Sequence, residues 1–234
     1  MRVLVACEES QRVCTAFRER GHETYSCDLM ECSGGHPEWH IQGDCIPLLN
    51  GRCEFKTADG EAHRVDGRWD MIIAHPPCTY FSNATMVNLG RQDKPAVFNE
   101  RWRKDFYRKR AAAFRFVVAI WMADCDKVAV ENVVGYLSTH FSKPTQYIEP
   151  YQFGDPWKKK TCLWLRGLPP LVPTDVVEPV GKWVRHHLKG KDDLIGYQSK
   201  GVYSARERSR TFHGIAAAMA DQWGRDPDKE NTNG

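Results

Sequence analysis

The chain has 234 residues, 41% apolar and 27% charged, with a net charge of +3. That length builds one well-cored domain and is marginal for two, and the composition is that of a soluble globular protein. So small a net charge excludes a bulk polyelectrolyte argument, and a nucleic-acid partner would need clustered basic residues. The nine cysteines (Cys7, Cys14, Cys27, Cys32, Cys45, Cys53, Cys78, Cys125 and Cys162) are odd in number, and several lie in apolar runs. No secretory pattern opens the chain and no apolar stretch reaches membrane-span length. Free thiols packed as small hydrophobes in a reducing cytoplasm are the expectation.

The chain starts in alternating strand–helix fashion. Arg2–Cys7 reads as a strand and Arg12–Arg20 as a helix ended by Gly21. Glu23–Leu29 is a second strand, and a third short one runs to Asp44. Cys53–Val65 alternates around Asp59-Gly60, a hairpin signal, and is read as an insertion. Met71–Ala74 is the fourth core strand. A long polar stretch from Thr79 to about Lys104 follows, then a basic helix from Asp105 to Ala123. Val128–Val133 is the fifth strand and Cys162–Leu165 a further one. Residues 167–201 are Pro/Gly-rich and irregular. A final helix spans Ile215–Trp223, and the polar tail Arg225–Gly234 reads as disordered.

Two strand ends carry reactive groups. Asp70-Met-Ile-Ile-Ala-His-Pro-Pro-Cys78 delivers a thiol after two prolines, in a rigid non-helical loop. On position alone, Cys78 reads equally as a nucleophile or as a structural thiol. Val128-Ala-Val-Glu-Asn-Val133 delivers a carboxylate. Buried carboxylates are rare unless paired or protonated, and a protonated Glu131 would donate a hydrogen bond to a ring nitrogen. Open α/β sheets place chemistry at such carboxyl ends. Asp28 and Asp44 close the second and third strands, where acids accept from ribose hydroxyls and an adenine amine; together they point to an adenosine-containing cofactor. His75 reads as a packed strand-end residue.

Arg101–Arg110 holds six basic residues and one acid, a local charge of +5, interleaved with aromatics. Arg101, Arg103, Lys104 and Arg108 are candidates for phosphate pairing there; a solvated helix face is the alternative. Lys182, Arg185, His186, His187, Lys189 and Lys191 form a weaker patch. Cys27, Cys32, His36 and His40 have zinc-ligand chemistry, but Cys27 falls inside a core strand, and no metal is expected.

In this order the motifs resemble the DNA cytosine-5 methyltransferases. The resemblance rests on the acid after strand two, Gly43-Asp44, Pro76-Pro77-Cys78 and Glu131-Asn132-Val133. It continues through Gly154-Asp-Pro-Trp-Lys-Lys-Lys-Thr-Cys-Leu-Trp164 and the closing Arg208–Trp223, and is nearest the compact phage-type members. It covers residues 1–224. It implies an α/β, Rossmann-like S-adenosylmethionine-dependent methyltransferase sheet with helices on both faces and a small hairpin insertion, in one catalytic domain. Residues 167–205 would be a reduced target-recognition region. It also implies methyl transfer from S-adenosylmethionine to carbon 5 of cytosine in duplex or single-stranded DNA, through a cysteine adduct on a flipped-out base.

Cys78 is then the nucleophile, Glu131 the acid at ring nitrogen 3, and Lys159 the positive charge beside them. Cys7, Glu8, Asp28, Leu29, Asp44, Cys45 and Pro76 would hold the cofactor; Ser82, Lys160 and Arg185 would join the basic helix on the nucleic acid. No membrane or obligate protein partner is implied, and the location is the cytoplasm, that of the host for a phage protein. The sequence departs from the family in the near absence of the large target-recognition region and in three further places. Ala6-Cys-Glu-Glu-Ser-Gln11 replaces the glycine-rich first loop, Lys159 and Lys160 stand where arginines are usual, and the final Gly-Asn element is missing. The same chemistry on RNA or a cytosine nucleotide, and a non-catalytic nucleic-acid-binding relic of the fold, are the alternatives.

Overall fold

The computed structural model describes residues 1–83, 85, 89, 99–182 and 209–225. Seven strands form the central sheet, in the order β3 (His40–Gln42), β2 (Glu23–Asp28), β1 (Arg2–Ala6), β6 (Met71–Ala74), β7 (Val128–Val133), β10 (Thr161–Arg166), β8 (Gln146–Ile148). Neighbours from β3 through β7 are parallel, and β10 runs antiparallel to both its neighbours. Four of these strands are short apolar runs buried on both faces, as parallel strands under helices must be: Val3–Ala6 and Met71–Ala74 are wholly buried, and so are Val128–Val130 and Thr161–Trp164. The protein is therefore α/β, with a mostly parallel sheet flanked by helices.

Alternation along the strands divides the core in two. Leu4, Ala6, Ile72, Ala74, Val128, Val130 and Trp164 face one layer, which packs on Val117 and Ile120 of α2 (Glu100–Trp121) and on Leu137 of α3 (Tyr136–His140). Val3, Val5, Met71, Ile73, Ala129 and Leu163 face the other, against α1 (Arg12–Arg18) and α4 (His213–Trp223). The expected hairpin is β4 (Cys53–Lys56) paired with β5 (Ala62–Val65). It is tied to the first layer by Phe55 and Val65, which pack in the same cluster as Tyr25 and Trp69. A small outlying pair joins β9 (Trp157–Lys158) to β11 (Gly181–Lys182).

Several expected boundaries shift. Helix α1 stops at Arg18, and Gly21 takes a left-handed φ of 78° that only glycine adopts without cost. Helix α2 starts at Glu100 rather than Asp105, because the Asn99 side chain accepts from the Trp102 N–H at 2.9 Å. The reversed strand β10, the edge strand β8 and the short α3 were not anticipated in these forms. Helix α4 begins two residues earlier than expected, at His213. Much of the expected target-recognition region, including Arg185, His186, His187, Lys189 and Lys191, lies outside the described residues, as do Arg208 and the tail from 226. Among the described residues no helix is long and apolar enough to cross a membrane.

Arg166, at the end of β10, closes α2. Its guanidinium donates to the carbonyl of Trp121, which the helix end leaves without an intrahelical partner, and to those of Ala123 (2.8 Å) and Cys125 (2.7 Å) in the turn that follows. Arg166→Met removes these charge-assisted bonds while retaining bulk. It is expected to lower unfolding free energy by about 1.5–3 kcal/mol. Urea denaturation checks this, and a change below about 0.5 kcal/mol, the scale of a neutral surface substitution, contradicts it.

Candidate active site

The register of the parallel strands sets one row of side chains at their carboxyl ends. Ala6 lies opposite both Cys27 and Ala74, and Ala74 lies opposite Val130. One residue further on, Asp28, Cys7, His75 and Glu131 stand level across four adjacent strands, which are spaced about 4.8 Å apart. His75 continues the β6 ladder, its N–H donating to the Ala6 carbonyl at 2.9 Å.

His75 and Glu131 meet directly. Nδ1 of His75 lies 2.8 Å from Oε2 of Glu131, with the side chains 8% and 13% exposed. Burial opposes the charge on Glu131, yet the hydrogen bond and charge of His75, with the charge of Lys159, hold its carboxyl below the usual range. Burial likewise opposes the charge on His75, and the hydrogen bond and charge of Glu131, with the charge of Glu8, outweigh it and raise the imidazole. Both shifts describe an imidazolium–carboxylate pair. The sequence left Glu131 paired or protonated and set His75 aside as a packed strand-end residue; the structure pairs the carboxyl and makes the histidine its partner. A histidine before Pro-Pro was visible in the sequence, but its contact across 56 residues was not.

Cys78 sits half-buried on the turn that follows. Backbone groups hold that turn from three sides. The Phe81 and Ser82 N–H groups donate to the Cys78 carbonyl at 3.0 and 3.1 Å, and Tyr136 N–H donates to the Phe81 carbonyl at 2.8 Å. Asn132, fully inside, donates from Nδ2 to the Pro76 carbonyl at 2.8 Å. Gly135 lets the two loops touch, since a Cβ there would lie 2.0 Å from the Phe81 carbonyl oxygen. The asparagine after Glu131 is thus a positioning residue for the Pro-Pro-Cys loop.

Burial and then the charge of Glu131 push the Cys78 thiol up, while Lys159 pulls it down. Cys78 alkylation by iodoacetamide should therefore keep rising with pH past the ordinary thiol value of ~8.5, because the thiolate is the nucleophile. Lys159→Met should slow labelling several-fold at pH 7.5, and Glu131→Gln should speed it. Mass mapping of the labelled peptide reads both, and opposite signs would show that these charges do not act on the thiol.

The cofactor candidates divide. Asp28 ends β2 opposite Gln42, and Asp44 follows two residues after β3; each accepts from a nearby N–H (Met30 at 2.9 Å, Ile46 at 3.0 Å). Leu29 and Ile46, beside them in sequence, are 75% and 39% exposed, unusual for large apolar side chains. Cys45 is buried. Its nearby thiol, with burial and the charges of Asp28 and Cys27, drives Cys7 well up. Pro76 is buried below the turn. Glu8 departs from expectation: its carboxylate turns inward and accepts from the Val13 and Cys14 N–H groups at 2.6 and 3.1 Å, capping α1. The N–H groups of Cys7 and Glu8 both go to the Cys27 carbonyl, at 2.7 and 3.2 Å. Cys7 (φ 61°) and Gln11 (φ 57°) keep left-handed backbone in this loop, where glycines would be unstrained.

Of the nucleic-acid candidates, Arg101 and Lys104 are exposed at the start of α2. Lys104 pairs with Glu100 at 2.7 Å and Arg108 with Asp105 at 2.8 Å, exposed pairs that solvent screening leaves weak. A phosphate can displace partners held so weakly. Arg103 is half-buried. Ser82 points into its own turn, with Oγ 2.9 Å from Thr85 Oγ1. Lys159 and Lys160 lie over the rings of Phe212 (5.6 Å) and Tyr147 (4.4 Å).

The zinc-type set is committed elsewhere. His40 Nδ1 and Nε2 are both 2.9 Å from protein oxygens, on Ser26 and Met30, and His36 stacks on Trp39. A cavity of about 500 Å³ lies between α1 and α4, lined by Ser10, Arg12, Gly34 and Arg210 among others. None of the candidate catalytic residues borders it. No protein-family model matches the chain, and no curated protein matches its sequence.

Proposed function

We propose that the chain transfers a methyl group from S-adenosylmethionine to carbon 5 of cytosine in DNA through a covalent adduct on Cys78. The observation that carries this is the Cys78 thiol on a backbone-locked loop, under the opposing charges of Glu131 and Lys159 at adjacent strand ends. The sheet order also supports it: a parallel sheet with one reversed strand, β10, next to the last is compatible with the methyltransferase fold that the motifs resemble.

The carbon-5 position of cytosine is a weak nucleophile while the ring is aromatic. Addition of the Cys78 thiolate to carbon 6 breaks the aromaticity and makes carbon 5 enamine-like. Glu131 donates at ring nitrogen 3 and relieves the charge that develops there. Lys159 lowers the cost of forming the thiolate. Loss of the carbon-5 proton and expulsion of Cys78 complete the cycle. The residues present suit the cofactor: Asp28 and Asp44 offer acceptors for ribose hydroxyls and an amine, and Leu29 and Ile46 offer apolar surface for a purine face. When bound, S-adenosylmethionine supplies an electrophilic methyl group on a sulfonium. The exposed basic start of α2 suits a polymer that must be held while its base is flipped, at a cost of a few kcal/mol.

One observation favours the relic reading, in which the fold binds nucleic acid without catalysis: the first loop spends the Cys7 and Glu8 N–H groups on Cys27. Incubation with labelled S-adenosylmethionine and cytosine-containing duplex or single-stranded DNA, with RNA in parallel, decides. Carbon-5 methylcytosine among the digested nucleosides supports the proposal. Product from RNA alone moves the substrate, and no product with no cofactor binding supports the relic.

A further inference from the structure

The sequence motif supplies one acid, but the structure supplies a pair. We propose that His75 is a positioning residue that fixes the Glu131 carboxylate through Nδ1 and stores the proton that Glu131 delivers to the cytosine ring. This rests on the function proposed above.

The geometry leaves His75 little other work. Its Nδ1 spans 2.8 Å to Oε2 of Glu131, with the Thr211 hydroxyl more distant at 3.4 Å. Its Nε2 is buried and has no hydrogen-bond partner among the described residues. An imidazolium whose second N–H is buried and unsatisfied holds its proton less tightly than one bonded on both sides. Charged and titratable groups face the pair from each element packed on it. Glu8 comes from the turn after β1 and Lys159 from the segment before β10. Cys78 lies on the same loop as His75, and Cys162 of β10, a thiol pushed up to about 12 by burial and then by the Glu131 charge, lies beside β7. Glu8 and Glu131 favour the imidazolium and Lys159 disfavours it.

In the resting pair the proton lies on His75 and Glu131 is a carboxylate. His75 passes that proton across the Nδ1–Oε2 contact as the base enters. The Cys78 thiol gives its proton to water, and when the bond from its Sγ to carbon 6 forms, the π pair between carbons 5 and 6 moves through carbon 4 to nitrogen 3. Nitrogen 3 then takes the proton from Glu131. Neutral imidazole, carboxylate and an adduct protonated at nitrogen 3 result, so the thiolate and imidazolium charges are consumed together. After methylation the carbon-5 proton leaves to water, Cys78 departs as thiolate, and nitrogen 3 returns its proton to the pair.

Two measurements on the full chain test this. The first is the pH profile of kcat for DNA methylation in the unsubstituted protein, His75→Asn and His75→Gln. Asparagine and glutamine donate a hydrogen bond but store no proton. Their kcat is expected to fall by about 10²-fold at pH 7.5, with KM for DNA little changed. The alkaline limb should move to lower pH, because buried Glu131 alone then holds the proton. A merely structural role would lower kcat evenly and leave the limb in place; that result, or an unchanged profile, overturns the proposal. The second is the ¹⁵N titration of the His75 imidazole, which Glu131→Gln should shift down. An unmoved titration means that no proton is shared and also overturns it. Absence of methyl transfer by the unsubstituted protein would remove the underlying function, while the imidazole titration would still decide whether the pair shares a proton.

Discussion

Cys78→Ala is expected to abolish methyl transfer, by about 10⁴-fold or more, while leaving folding and cofactor binding nearly intact. Loss of a covalent nucleophile is of that order, because carbon 6 has no other thiol to accept. Folding should survive because nothing that holds the turn passes through the sulfur. The bonds are from Phe81 and Ser82 N–H to the Cys78 carbonyl, from Asn132 to the Pro76 carbonyl, and from His75 N–H to the Ala6 carbonyl. The side chain is half-buried and serine-sized, so little apolar area is lost. Product analysis by mass, beside a thermal melt of each protein, reads both expectations. Retained methylation in the variant would overturn Cys78 as the nucleophile, and a collapse of the melt would show that the thiol carries structure.

Glu131→Gln is expected to lower the rate by about 10²–10⁴-fold, the usual worth of a positioned acid, without weakening DNA binding. Its stability effect has a pH signature. Glu131 raises the folded-state pKa of His75, so that contribution is complete below the unfolded imidazole value of about 6.5 and fades as pH rises through the folded value. His75 and Lys159 lower the folded-state pKa of Glu131, so its share is present above the unfolded carboxyl value of about 4.3 and is lost as pH falls through the folded one. The variant should therefore be most destabilised near pH 5–6.5 and less so above the folded value of His75. Removing one partner of a buried pair costs about 3–5 kcal/mol unless the survivor sheds its charge, and His75 can shed it. Denaturant melts at pH 6 and pH 9 test the window. A loss confined to DNA affinity, with kcat unchanged, would take Glu131 out of the chemistry.

The chemistry proposed lies in side chains at strand ends, since a fold of this class hosts many functions. The loop after β1 holds a backbone that its side chains do not favour. Cys7 and Gln11 adopt backbone angles that glycine would accept freely, and Gln11 bonds both ways to the His36 backbone. The strain there belongs to a loop whose neighbours over-determine it, a pattern found at ligand sites.

What the residues settled alone was local. Short apolar runs that end in a polar group mark buried parallel strands, so Asp28, Cys78 and Glu131 could be set at strand ends from the sequence. Asp59-Gly60 marked the hairpin, and Gly21 marked the end of α1, because only a few residue types fit those turns. The start of α2 was also written locally, in Asn99, but the polar stretch before it hid the cap. What tertiary structure decided was non-local. The His75–Glu131 contact exists because β6 and β7 are neighbours in one register, and no period in either segment encodes that neighbour. The inward turn of Glu8 depends on where α1 presents its N–H groups. The reversal of β10 and the clamp of Arg166 on α2 likewise arise only when distant segments pack. Periodicity reports which face of an element is buried; the sheet order alone reports what lies across from it.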